Sequence, residues 1–243
     1  MKTHRLAFLS FLMALCFCLL SPANAQFGDL LKGVEKVLKV GELSESKIIQ
    51  GLKEALQIGT GNAVKTASQL NGYYKNPNIK IPLPSKVQKV EKALRAVGFG
   101  SKVDAFEVSM NRAAEHAVPE AKSIFLDAIT QMTFSDANKI LKGPDNAATL
   151  YFKDKTHNRL HEIFKPIVNK AMSEVGVTRT YQELDDKVRS IPFAGSLSFD
   201  LDNYVTNGAL DGLFFMLAEE ERKIRQDPAA RVTDLLKEVF GKR

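Results

Sequence analysis

Two histidines four residues apart, His157 and His161, with Glu162 beside the second, form the most explicit metal-ligand spacing in this 243-residue chain. Residues at i and i+4 share a helix face, so two imidazoles there could reach one zinc ion. The set is incomplete. Zinc needs a third protein ligand, and the helical hydrolase pattern places a Glu directly after the first His as general base, where this chain has Asn158. The pattern therefore predicts two solvated histidines, with no metal and no other cofactor. Asp200, Asp202 and Asn203 with Asp211 suggest a calcium loop, but Tyr204 stands where an oxygen ligand is wanted and Val205 where a glycine must turn. Asp200 reads better as a helix cap. Nucleophilic catalysis has no foothold: there is no Gly-x-Ser-x-Gly, and Gly59-x-Gly61 and Gly98-x-Gly100 lack both a preceding strand and the Lys-Ser/Thr of a phosphate loop.

Polar residues outside those patterns supply the candidate ligand-binding set. Glu107, Asn111, Arg112 and Glu115 fall on one side of a helix, opposite Phe106, Met110 and Ala114. That placement predicts solvated ion pairs; facing a cleft, the same residues would hold a polar ligand. Asp211 sits between Leu210 and Leu213 in an almost wholly apolar run, and a carboxylate buried there must be paired, hydrogen-bonded or protonated. Arg112, Lys155, Tyr204 and Thr206 are the possible partners. The candidate ligand-binding residues are thus Asn111, Arg112, Glu115, Tyr204, Thr206 and Asp211, with no catalytic residue nominated. A second set, Tyr73, Tyr74, Lys75, Ile79, Lys80 and Ile81, mixes apolar and basic side chains. Such a mixture suits a partner or membrane surface, and a strap that packs its apolar residues on the helices gives the same pattern and is the preferred reading.

The elements that must position these residues are helical. Phe27 to Leu38 has helical apolar spacing, as have Ile48 to Leu56 and Asn62 to Leu70, with Gly59 and Gly61 expected to interrupt between them. From Asn71 to Pro84 the period vanishes among Asn71-Gly72, Pro77, Pro82 and Pro84, predicting a long extended strap. Helices return from Ser85 to Val97, from Ser101 to Ala117, after Pro119, from Thr133 to Leu141, and from Asn146 to Val175 with a bend or break near Pro166. Thr180 with Glu183 reads as a capping box, 191–199 as a second irregular stretch, Thr206 as the cap of an apolar helix, and Asp227-Pro228 as the start of a terminal one. The expected fold is all-α: a single-domain irregular bundle of about ten to twelve helices with one long strap.

The N-terminus carries Lys2 and Arg5, an apolar run from Leu6 to Leu20, then Ala23-Asn24-Ala25, which together predict a secretory signal peptide cleaved after Ala25. The apolar run is too short to span a bilayer, so no transmembrane segment is expected after cleavage. Cys16 and Cys18 would leave with it, and a thiol-free remainder must rest on its core rather than on disulfides. Without Lys2 and Arg5, 32 basic side chains face 28 acidic ones, an excess too small to mark a nucleic-acid binder.

The order of motifs resembles a known family. Gly51-Leu52-Lys53-Glu54-Ala55-Leu56, Ile79-Lys80-Ile81-Pro82-Leu83-Pro84, Asn111-Arg112-Ala113-Ala114-Glu115, Tyr151-Phe152 with Lys155-Thr156, Tyr204-Val205-Thr206 and Ala209-Leu210-Asp211-Gly212-Leu213-Phe214 are together similar to the bacterial domain of unknown function family 4197. The likeness runs from about Phe27 to Phe240. It implies an exported, largely helical protein of a Gram-negative bacterium and carries no assigned activity, so no catalytic role transfers.

Sequence thus points to a periplasmic protein that acts as a non-enzymatic binding or interaction module for an apolar ligand, the envelope surface or a protein partner. Two alternatives stand beside it. One is an enzyme with a polar site around Arg112, Glu115, Tyr204 and Asp211, which requires those residues to converge. The other is a purely structural envelope protein.

Overall fold

Helical periodicity accounts for nearly every element of the computed structural model, which describes residues 45–174, 176–190, 197, 199–231 and 233–240. The predicted leader and the Phe27–Lys39 helix lie outside those residues, as does most of the 191–199 stretch. Nine α-helices appear among the described residues, seven of them ten residues or longer, and no strand. They are α1 (Glu45–Ala67), α2 (Ser85–Ala96), α3 (Gly100–Ala117), α4 (Ala121–Thr130), α5 (Phe134–Lys142), α6 (Ala147–Glu174), α7 (Val177–Arg189), α8 (Leu201–Gln226) and α9 (Asp234–Phe240). Three-residue 3-10 turns stand at Val118–Glu120 and Pro228–Ala230.

The count falls short of ten to twelve partly because three expected breaks do not occur. Gly59 and Gly61 lie inside α1, since a glycine at helical φ costs a helix only about 1 kcal/mol and tertiary packing offsets that. Pro166 lies inside α6, flanked by Phe164 and Val168, both fully buried. Its missing N–H falls on the solvent side of the helix, where water can take the unmatched carbonyl. Thr206 caps nothing, because α8 starts at Leu201 under Asp200, whose carboxylate accepts from the Asn203 N–H at 2.9 Å. Nor do Thr180 and Glu183 form a capping box: α7 begins at Val177, and Glu183 pairs with Arg179 and Lys102. The helix expected from Thr133 does start there, and Thr133 and Asp136 close a reciprocal capping box at its N-terminus.

Helices α6 and α8 form the centre, with α1 and α3 packed against α8, α3 and α4 also on α6, and α9 on α1. Phe125 meets Phe152 edge-to-face at 5.2 Å and Phe214 at 6.2 Å, knitting α4, α6 and α8 together. The Glu221–Arg225 pair sits inside this packing. Its two side chains are only 6 % and 5 % exposed, so it is not the surface pair that i,i+4 spacing suggests. Glu221 accepts from the N–H groups of Ala148 and Thr149 at 2.9 Å, capping α6, while Arg225 donates to the Ile140 carbonyl at the end of α5. Three helices are thereby tied at one buried ion pair.

Between α1 and α2 the chain does not form the expected extended strap. Residues 68–79 are mostly a succession of turns, closed by bonds such as Lys75 N–H to the Asn71 carbonyl at 3.1 Å, and 80–84 form a short stretch without turn structure. Short polar residues and Gly72 fold the segment back on itself, with Asn71 in the left-handed region at φ 69°.

Candidate functional site

The 71–84 connection lies between α3 and α8, and the residues nominated from sequence are what hold it there. Asn111 on α3 is fully buried. Its amide works in both directions: the oxygen accepts from the Ile81 N–H at 2.8 Å and the nitrogen donates to the Ile81 carbonyl at 2.9 Å. One turn on, Glu115 is 4 % exposed and accepts from the backbone N–H groups of Tyr73 at 3.0 Å and Tyr74 at 3.3 Å. Arg112 neutralises that carboxylate at 2.5 Å and donates to the Asn71 side chain at 2.7 Å. The predicted solvated ion pairs are therefore neither solvated nor open to a ligand. A main chain without helical bonds needs other partners, and these three side chains supply them.

From the α8 side, Tyr204 donates to the Pro82 carbonyl at 3.1 Å, and burial raises its phenol pKa above the ordinary value. Tyr73 inserts fully, donating from its hydroxyl to the Ala209 carbonyl at 2.6 Å. Burial, with Glu115 and Asp211 nearby, pushes its phenol pKa far up as well. Tyr73, Ile79 and Ile81 are thus core residues, packed on the helices as the strap reading expects and not available as a partner or membrane surface, because the turns of the connection aim them between the helices. Of that set only Lys75 is exposed. Tyr74 is half-buried, and Lys80 pairs with Glu107 at 2.8 Å over the Tyr74 ring.

Asp211 is exposed, contrary to the burial suggested by its apolar neighbours. It forms no hydrogen bond or ion pair among the described residues. Helix geometry explains this: Tyr204, Asn207, Gly208, Asp211, Gly212 and Phe215 recur at three- and four-residue intervals, forming a stripe turned away from Leu210 and Leu213. This stripe and the 78–82 main chain wall an open groove of about 480 Å³. The groove was missed at the sequence level, although the spacing of Tyr204, Asn207, Asp211 and Phe215 was the available signal. Thr206 lies on the opposite, fully buried side, and its hydroxyl has no partner among the described residues.

The structure therefore separates the nominated residues. Tyr204 and Asp211 share the groove, whereas Arg112 and Glu115 do not line it and are committed to Asn71–Tyr74. His157 and His161 stack at 6.4 Å, His157 also stacks on Phe214, and His161 meets the Asn203 amide oxygen at 2.9 Å. No third ligand joins them, nor does any other set of three metal-ligating side chains gather among the described residues. A smaller apolar cavity of about 20 Å³ beneath α1 has room for about one water. No described helix is long and apolar enough to cross a membrane.

A family model described as "Protein of unknown function (DUF4197)" matches residues 42–241, so residues 27–41 of the expected likeness lie outside the match. No curated protein and no solved structure matches the chain.

Proposed function

Taking as premise that the chain belongs to the DUF4197 family, we propose that it is an exported, periplasmic, non-enzymatic binding module whose ligand sits in the groove between the 78–82 main chain and α8. One observation carries this reading. The polar side chains most suggestive of catalysis are spent on holding the connection, while Asp211, Asn207 and the Asn78 side chain face the groove with no partner among the described residues. A volume of about 480 Å³ falls within the range of small-molecule sites, typically about 300–1,000 Å³. Catalysis would need an acid or base and a second polarising group within hydrogen-bond reach of one substrate atom. Among the groove residues Tyr204 is engaged with Pro82 and Lys80 with Glu107, which leaves a lone carboxylate and two amides.

Ligand-observed NMR with a library of polar fragments tests the site. Hits that perturb the amides of 78–82 and 204–215, and that vanish when Asn207→Trp fills the groove, are the expected result. Fragments that bind only elsewhere, or not at all, overturn it. Co-sedimentation with anionic liposomes, unaffected by Asn207→Trp, would instead favour attachment to the envelope surface.

A further inference from the structure

The unspent groups of the groove have a chemistry in common. Asp211, Asn207 and Asn78 each end in a planar, forked polar group, and none makes a side-chain hydrogen bond among the described residues. Phe215 closes the same wall and is 39 % exposed, unusual for a phenylalanine in a helix whose other large apolar residues are buried. The formal charges of the lining are one carboxylate and one ammonium. The ammonium is already held at 2.8 Å by Glu107 and covers the Tyr74 ring at 4.9 Å, so it is not free to receive an anion.

Resting on the groove reading above, we propose that the ligand is a neutral saccharide. Forked carboxylate and amide groups can take two vicinal hydroxyls at once, as acceptors for Asp211 and as both donor and acceptor for the asparagines. An exposed aromatic ring supplies a flat apolar face against the C–H side of a pyranose. A cationic ligand would meet Asp211 and the Phe215 face but would use the two amides as acceptors only, leaving their N–H donors unmatched, and a lining of one carboxylate and one ammonium carries no net charge to select it. A purely apolar ligand would bury three polar side chains without partners. Phe215 is assigned as the stacking platform, Asp211 and Asn207 as the hydroxyl-reading pair on α8, and Asn78 as their counterpart on the connection.

The test titrates the isotopically labelled mature chain with maltotriose, cellotriose and triacetylchitotriose, with putrescine and free lysine as cationic and zwitterionic probes, and follows backbone amide shifts and calorimetric affinity. At least one saccharide should shift the amides of Asn207, Asp211 and Phe215, and Asp211→Ala and Phe215→Ala should each weaken that binding at least tenfold with an unchanged thermal melt. If only putrescine or lysine moves those amides, the saccharide assignment falls while the groove reading survives. If no probe moves them, or saccharide affinity is indifferent to both substitutions, the saccharide assignment falls, and the fragment screen with Asn207→Trp decides separately on the groove.

Discussion

The ring of Tyr73 lies directly over Gly212: a Cβ placed on that glycine would come within 2.5 Å of Tyr73 Cε1. The close approach lets the Tyr73 hydroxyl reach the Ala209 carbonyl, one turn earlier on α8. Two of the motifs behind the family resemblance, Ile79 to Pro84 and Ala209 to Phe214, meet around this contact, with Ile79 against Gly212 and Ile81 against Gly208.

Gly212→Ala should lower stability by about 2 kcal/mol in urea denaturation, the cost of overpacking a ring that has nowhere to move. Gly61→Ala is the control. Nothing lies within 4 Å of a Cβ at Gly61, so the same change in a helix should stabilise by about 0.5–1 kcal/mol. Equal effects at the two sites would contradict the Tyr73 contact.

Glu115→Ala removes the acceptor of two backbone N–H groups and leaves Arg112 half-buried without its counter-ion. A loss of about 3 kcal/mol is expected, as for breaking one side of a buried pair. Hydrogen exchange should localise the damage, with the amides of Tyr73 and Tyr74 deprotected more than those of α6. Uniform deprotection would argue against a local clamp.

Tyr73 makes stability depend on alkaline pH. Its folded-state pKa is raised, so its contribution is complete below the unfolded value near 10 and declines as pH rises beyond it, because the phenolate is tolerated in the unfolded chain and not in the core. Tyr73→Phe should cost about 1 kcal/mol at pH 7 and should flatten the stability decline above pH 10. An unchanged slope in the variant would place the titrating group elsewhere.

Thr206→Val keeps the shape of a fully buried side chain while deleting a hydroxyl that has no partner among the described residues. An unsatisfied buried polar group costs about 1–3 kcal/mol, so the variant should be at least as stable as the parent by calorimetry. A fall of more than 1 kcal/mol would reveal a partner for that hydroxyl.

Asn111 and Asp211 show how far each could be read from sequence. Asn111 stands out in the sequence by its place beside Arg112 and Glu115, but its opposition to Phe106 and Met110 assigns its face to solvent. A helix between two layers buries both sides, and nothing in the local period announces the second layer. Asp211 stands out for its apolar neighbours, which point toward burial, yet a single residue of helical rotation from Leu210 puts it on the groove side. The Glu221–Arg225 spacing was legible as a pair; its burial and its capping of α6 were not, because they depend on a contact 73 residues away.

Sequence by itself determined the helical class, the positions of most helices, the irregular character of 71–84 and the family, since each is written in spacings of a few residues or in contiguous motifs. It did not determine where chain breaks fail, as at Gly59 and Pro166, nor what the polar residues of α3 face. Those were decided by tertiary contacts, such as Tyr73 to Ala209 across 136 residues and Asn111 to Ile81 across 30. Propensity and period act over one or two turns, whereas the pairing of faces is set by which distant surfaces bury each other and by the need to satisfy every buried main-chain group.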